Sequence, residues 1–229
     1  LVKMKSRMTD GFAGGKMDTT QRQKLVTRLA VALGNVASSE TGCAYLDSER
    51  QKAKDWRKDP EWLWWALVRS ASAMGNSRPY EKVRLLRHEL SFQRLADITP
   101  GPERLNEIQV VLKGTGVRRY KWLDQAVEKI KREGGALHAG KRAMNLRNAQ
   151  EKIDYLLEFH GIGPKYARNI WMDLHDEHFF EEVAVDTRIK SILSRLLQVG
   201  QSWNIAETHF VLEAAHAAKL SGWEADRLM

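Results

Sequence analysis

The sequence has very little cysteine and no long apolar run, and each absence excludes a class of protein. Cys43 is the only cysteine among 229 residues, which excludes an intramolecular disulfide framework. A single cysteine also excludes a four-cysteine iron–sulfur cluster. No apolar stretch approaches the roughly 20 residues that a transmembrane helix needs. The basic segment 1–8 lacks the apolar core of a signal peptide, so we expect a cytoplasmic protein.

What the sequence has in excess is positive charge. Its 37 Lys and Arg residues against 29 Asp and Glu residues give a formal net charge of +8, and the isoelectric point is about 9.6. This charge favours a polyanionic partner, although it does not by itself separate nucleic acid from a membrane surface. Hydrophobic residues make up 43% of the chain, a fraction typical of folded proteins.

Apolar residues recur at helical spacing along most of the chain, and neither a strand pattern nor an internal repeat is visible. The sequence therefore predicts an all-α fold. Segment 1–17 is rich in glycine and polar residues and is expected to be mobile, while segment 137–147 has no clear pattern. Helices are predicted over 20–33, 44–56, 61–74, 80–87, 92–96, 103–112, 118–132, 148–159, 164–174, 186–198 and 205–220.

The helix predicted over 61–74 is hydrophobic nearly all round, which is typical of a buried central helix. It contains Trp62, Trp64 and Trp65. Such a cluster belongs more often to a core than to a stacking platform, so we expect at least two of the three to be buried. Trp223 could either line a pocket or close the core.

Two helical patterns meet at Gly161-Ile-Gly-Pro164. Gly161 and Gly163 are expected to supply a turn with positive φ, and their missing Cβ atoms let a second backbone approach. Pro164 suits the first position of the helix that follows. The amides of Gly161, Gly163 and Lys165 would then face outward at a helix N-terminus, which is a phosphate site.

Lys165 lies in the first turn of that helix, where the helix dipole disfavours a cation. The same positive end favours the neutral amine, the form that attacks a sugar C1′ to give a Schiff base. Asp186 follows 21 residues later, at the predicted N-cap of another helix. Lys165 could instead merely contact a phosphate, and Asp186 could merely cap, but the pair together favours catalysis.

At Gly161-Ile-Gly-Pro-Lys-Tyr-Ala167 and Val185-Asp-Thr-Arg-Ile189 the sequence resembles the helix-hairpin-helix DNA glycosylases, the superfamily of endonuclease III and the 8-oxoguanine glycosylases. A weaker match runs from about residue 62 to about residue 223. The resemblance implies two helical lobes with a DNA-binding cleft between them. One would be a six-helix lobe over 59–182 that ends in the hairpin, and the other would combine 18–58 with 183–229.

The resemblance also implies a function: base-excision repair by a DNA glycosylase with AP lyase activity that flips an oxidised pyrimidine or 8-oxoguanine out of the duplex. Lys165 and Asp186 would be catalytic. The partner would be damaged double-stranded DNA, with no membrane involved, and the enzyme would be a monomer, associated with the nucleoid if bacterial. DNA contacts are expected from Gly161, Ile162, Gly163, Pro164, Ser72, Asn76, Arg118, Arg119, Lys121 and Arg188.

No cofactor is required by this chemistry, and many endonuclease III relatives differ by carrying an iron–sulfur cluster. The resemblance does imply a structural Na⁺ or K⁺ ion on the backbone carbonyls of Leu157, Phe159 and Ile162. His160 stands where relatives often have proline, which leaves the entry angle of the first hairpin helix open. The run Asp173–His178 has no ligand pattern of a metal site, and we interpret it as structural.

Two other functions stay open at this stage. Lys165 could contact DNA while Asp186 activates water, which would make a monofunctional glycosylase. The hairpin could also be a phosphate clamp of a non-catalytic DNA-binding module. Asp186 argues against the module, because an unpaired carboxylate facing a phosphate cradle would only weaken binding.

Overall fold

A computed structural model describes residues 19–73, 78–184, 186–197 and 206–229. Over these residues the chain forms helices and no strand, which confirms the all-α prediction. Segment 1–17, which was predicted to be mobile, lies outside the described residues. So do Asn76 and Val185. The helices are α1 (Thr19–Ser38), α2 (Glu40–Lys58), α3 (Trp62–Ala73), α4 (Arg78–Val83), α5 (Phe92–Ala96), α6 (Pro102–Val111), α7 (Tyr120–Arg132), α8 (Ala136–Met144), α9 (Ala149–Leu157), α10 (Pro164–Asp173), α11 (Thr187–Leu197), α12 (Ala206–Ala217) and α13 (Gly222–Leu228), with 3₁₀ turns at Arg84–Leu86 and Glu177–Phe179.

The buried side chains form two clusters. The larger cluster is built around α3 and takes residues from α7, α8, α9 and α10, together with Trp223 of α13. The smaller cluster joins α1 to α11, α12 and α13. Its N-terminal and C-terminal helices pack on one another. The lobe boundaries given above remain a prediction.

Helix α3 lies at the centre of the larger cluster because almost every face of it is apolar. Trp62, Trp64 and Trp65 are all buried, which confirms their interpretation as core residues. The indole Nε1 of Trp64 donates to the carbonyl of Leu90 at 2.7 Å, so its polar atom is satisfied inside the core.

Two predicted helix ends were wrong. Helix α1 continues through Gly34 to Ser38, although glycine there predicted a stop. Helix α2 begins at Glu40 rather than at residue 44, because the Ser39 side chain caps it by accepting from the Gly42 N–H at 3.0 Å. At the start of α2 the local capping contact overrides the propensity pattern.

Segment 137–147, which had no clear pattern, contains most of α8. The buried face of this helix is made of small residues. A Cβ atom at Gly140 would lie 2.7 Å from Nε1 of Trp62. Helix α8 therefore packs closely on α3, because Gly140 has no side chain at this contact. The small residues on this face are Ala136, Ala139, Gly140 and Ala143.

A buried ion pair joins α9 to the chain after α10. The Lys152 amine lies 2.5 Å from the carboxylate of Asp176, and both side chains are almost fully buried. Asp176 also accepts from the His178 N–H at 3.1 Å and so caps the second 3₁₀ turn. The Lys152 carbonyl accepts from Nε1 of Trp171 at 3.0 Å. These contacts fix α9 and α10 relative to each other.

None of the described helices is long and apolar enough to cross a membrane.

We predict that Lys152→Met lowers the free energy of unfolding by about 3 to 5 kcal/mol, because it leaves the buried Asp176 carboxylate without its partner. The matched control is Lys52→Met, which breaks an exposed ion pair with Glu49 and should cost less than about 1 kcal/mol. Urea unfolding of both variants measures the difference. Equal and small losses would contradict a stabilising role for the buried pair.

Candidate active site

Helices α9 and α10 pack together as a hairpin whose turn spans 158–163. Asn148 starts α9 by accepting from the Glu151 N–H at 2.9 Å, and Pro164 occupies the first turn of α10. Gly161 has φ of +87°, as predicted. Gly163 does not, because it lies in extended backbone at φ −97° and ψ 171° as the N-cap of α10; its prediction of positive φ was wrong.

The hairpin turn packs against the Trp122 ring of α7. A Cβ atom at Gly161 would lie 2.2 Å from the ring of Trp122, so the Cα of Gly161 is in direct contact with the indole. The His160 ring contacts the same indole edge-on, with 5.7 Å between the ring centroids. The Arg119 guanidinium lies 5.2 Å from the centroid of the Trp122 ring. The turn therefore lies beside the N-terminal end of α7.

The predicted DNA-contact residues at the start of α7 and in α3 differ in their surroundings. Arg118 and Lys121 are exposed and lie within four residues of Trp122 along the chain. Arg119 is partly committed, because its guanidinium donates to the Ala71 carbonyl at 3.3 Å in the last turn of α3. Ser72 is buried, and its hydroxyl donates to the Val68 carbonyl at 2.7 Å. A DNA contact through the Ser72 side chain is therefore not supported.

Lys165 is exposed in the first turn of α10. Within the described parts of the chain its amine has no ion pair or hydrogen bond. The backbone amides in the first turn of α10 likewise have no hydrogen bond to any described side chain. Around Gly163 a Cβ atom would meet nothing within 4 Å. The N-terminus of α10 is thus open to a ligand, with a free amine beside it.

Asp186 caps α11, as predicted. Its Oδ1 accepts from the Ile189 N–H at 2.9 Å and lies 4.0 Å from Nε of Arg188. The side chain is 34% exposed, so it is neither a core group nor fully solvated. With Oδ1 used for capping, Oδ2 is left for other contacts. The capping and catalytic roles are therefore compatible in this geometry.

An ion pair connects the helix of Lys165 to the segment that leads to Asp186. Nε of Arg168 lies 3.8 Å from Oε2 of Glu182. Arg168 is three residues after Lys165, so the two side chains share a face of α10. Glu182 is four residues before Asp186, a distance that extended chain covers in at most roughly 14 Å. The ion pair therefore joins the helix of Lys165 to the segment before Asp186. That Lys165 and Asp186 face one another stays a prediction.

The short helix α13 was missed from the sequence, although Ser221-Gly-Trp-Glu224 carries a capping-box signature. Trp223 is buried and donates from Nε1 to the Met172 carbonyl at 2.7 Å. It therefore closes the core at the end of α10. Asp226 is also buried, and its Oδ1 accepts from the Ala184 N–H at 3.0 Å.

Burial raises the pKa of the Asp226 carboxyl above its usual range, and the neighbouring charge of Asp186 adds to this, while Arg227 opposes it. Because the charge of Asp186 contributes to the pKa of Asp226, the two carboxylates are close enough to interact electrostatically. No local sequence pattern marks this residue, because its closeness to Asp186 arises only from the packing of α13.

The described residues contain no cluster of His, Cys, Asp and Glu that could hold a metal ion. Asp173 instead pairs with Arg69 and Arg227. The predicted monovalent cation would use backbone carbonyls. Phe159 O accepts from the Ile162 N–H at 3.0 Å, which leaves it one lone pair, so its chemistry is compatible with a cation. That site, together with the carbonyls of Leu157 and Ile162, stays a prediction.

Comparison with known proteins supports the fold. No protein-family model matches the sequence, and no curated protein matches it. The structure is similar to the crystal structure of an 8-oxoguanine DNA glycosylase from Methanocaldococcus jannaschii, with a TM-score of 0.63 and 14% sequence identity. The match covers 86% of this chain and 90% of that one. The chain thus has the all-α fold of that glycosylase.

We predict that Gly161→Ala destabilises the protein by about 2 kcal/mol or more, because it strains a left-handed residue and drives a methyl group into Trp122. Gly163→Ala is the matched control, two residues away with extended backbone and open space, and should change stability by less than about 0.5 kcal/mol. Thermal unfolding compares the two. Equal losses of stability in the two variants would contradict the claim that the contact between Gly161 and Trp122 excludes a side chain at position 161.

Proposed function

We propose that this chain is a DNA glycosylase of base-excision repair with AP lyase activity. The observation that carries the proposal is the exposed Lys165, free of described partners at the uncapped N-terminus of α10. The Arg168–Glu182 ion pair, which joins this helix to the segment before Asp186, supports it. The shared fold with an 8-oxoguanine DNA glycosylase supports it. The substrate is duplex DNA that contains an oxidised pyrimidine or 8-oxoguanine.

The hairpin binds the DNA backbone near the lesion. A phosphate fits at the N-terminus of α10, where free amides and the helix dipole both favour an anion. Gly163 leaves space for that approach. On the adjoining surface, Arg118 and Lys121 add positive charge without a described partner to neutralise it. Contacts of this kind position the duplex without reading its sequence.

The reacting nucleotide is turned out of the helix, since its C1′ atom is not accessible within a base pair. The neutral amine of Lys165 attacks C1′ as the glycosidic C1′–N bond breaks, and the bonding electrons leave with the base. The nitrogen gives one proton to the departing base and a second to O4′ as the C1′–O4′ bond breaks, which leaves a Schiff base between Lys165 and the open sugar. Removal of a C2′ proton then expels the 3′ phosphate by β-elimination. Asp186 stabilises the positive charge that develops on the sugar.

A monofunctional glycosylase is the main alternative. In it Asp186 would activate water through its uncommitted oxygen, and Lys165 would bind a phosphate beside the free amides of α10. The products separate the two reactions, because only the lyase nicks the strand. A panel of duplexes with single lesions, assayed for base release and for nicking, also identifies the substrate. Binding without any product would instead indicate a non-catalytic DNA-binding module.

We predict that borohydride traps a covalent complex between the protein and lesion-containing DNA, and that Lys165→Gln abolishes it, because the adduct forms on that amine. Lys58→Gln, at another exposed lysine, is the control and should trap at the wild-type level. Denaturing electrophoresis measures the yield. Full trapping in Lys165→Gln would refute the assignment of the nucleophile.

We predict that Asp186→Asn slows base release by about 100-fold at saturating DNA, with affinity unchanged or tighter. Asparagine is as good an N-cap as aspartate, so the variant keeps the Ile189 contact and removes only the charge. Single-turnover kinetics and thermal unfolding are measured together. Wild-type excision by a variant of wild-type stability would remove Asp186 from the mechanism.

A further inference from the structure

Helix α13 lies against the described segment 180–184, which precedes α11. At its start, Trp223 N–H donates to the Phe180 carbonyl at 2.8 Å. A Cβ atom at Gly222 would lie 2.9 Å from the backbone of Glu181, so the helix begins in contact with this chain. At its end, Asp226 bonds to Ala184. Segment 180–184 is therefore held at several points by one short helix.

Asp226 contacts the chain on both sides of Asp186. Its Oδ1 accepts from the Ala184 N–H, two residues before Asp186, at 3.0 Å. Its backbone carbonyl accepts from Arg188, two residues after Asp186, at 3.4 Å. Arg188 in turn lies 4.0 Å from the Asp186 carboxylate. The position of Asp186 is thus bracketed by two hydrogen bonds to a single residue.

Helix α13 is itself anchored to the helix of Lys165. Trp223 donates to the Met172 carbonyl at 2.7 Å, and Arg227 donates to Asp173 at 2.9 Å. Both partners lie in the last turn of α10. Helix α13 therefore links α10, which carries Lys165, to the segment that carries Asp186.

We infer that Asp226 is a positioning residue for the proposed reaction: by accepting from Ala184, it sets Asp186 relative to Lys165. This inference rests on the proposed function. Burying a carboxylate costs free energy unless it is hydrogen-bonded. Asp226 is only 3% exposed, and its carboxylate pairs with the Ala184 N–H, which would otherwise be left without an acceptor. Asp226 acts through Asp186 and does not touch the reacting sugar.

The test compares three variants in single-turnover base release at saturating lesion DNA. Asp226→Ala removes the acceptor and should slow excision by about 100-fold, the order of loss caused by a misplaced catalytic group, with DNA affinity within about threefold. Asp226→Asn keeps an oxygen that accepts from Ala184, and its rate should stay within about threefold of wild type. Ser221→Ala loses the capping box of the same helix and should excise normally.

Three outcomes overturn the inference. One is wild-type excision by Asp226→Ala, and another is a loss in Asp226→Asn as large as in the alanine variant. The third is an equal loss in Ser221→Ala, which would reduce the effect to the stability of α13. If the alanine variant does not fold, the rate of Asp226→Asn decides alone.

Amide hydrogen exchange at Ala184 separates failure of this inference from failure of the proposed function. The inference predicts protection of this amide in wild type and in Asp226→Asn, and exchange faster by at least about tenfold in Asp226→Ala. If wild type releases no base from any lesion, the proposed function fails, and the exchange data still report whether Asp226 holds the segment. Unchanged exchange in Asp226→Ala would overturn the positioning role whatever the activity.

Discussion

The contact between Gly161 and the ring of Trp122 is the constraint on which the arrangement of the candidate site depends. There is no room for a side chain at this point, and the left-handed backbone disfavours any other residue. The contact fixes the turn, and with it the start of α10, against the first turn of α7. Among the described residues, the Lys165 amine and the first-turn amides of α10 have no side-chain partner, and Arg118 and Lys121 are exposed.

A second set of contacts fixes the acidic side of the site. Asp186 is set by its own capping bond to Ile189 and by the bonds of Asp226 around it. The Arg168–Glu182 ion pair and the anchoring of α13 on the last turn of α10 tie this segment to the helix of Lys165. The segment before Asp186 and the helix of Lys165 are therefore held by packing, while Lys165 is exposed and Asp186 is partly exposed.

The sequence allowed the all-α fold, the central α3 and the two helices on either side of Gly161-Ile-Gly-Pro164 to be predicted, because each depends on periodicity or on residues adjacent along the chain. Helix α8 was left open, because the close packing of its Gly140 on Trp62 depends on the tertiary structure. The backbone of Gly163 was mispredicted, since the residue caps a helix rather than turning the chain. Asp226 carries no local signal at all, because its role depends on a contact 42 residues away. Site residues held by tertiary packing were thus the ones that sequence reasoning could not reach.

The central claim is that Lys165 and Asp186 face one cleft that accepts an everted nucleotide. A crystal structure of the Lys165→Gln variant bound to duplex DNA with a single oxidised base tests this most directly. The account predicts the damaged nucleotide outside the stack, with C1′ within about 4 Å of the side chain at 165 and near the Asp186 carboxylate, a near-attack geometry. A stacked, unflipped lesion bound at the hairpin, or an everted nucleotide held far from either residue, would contradict it.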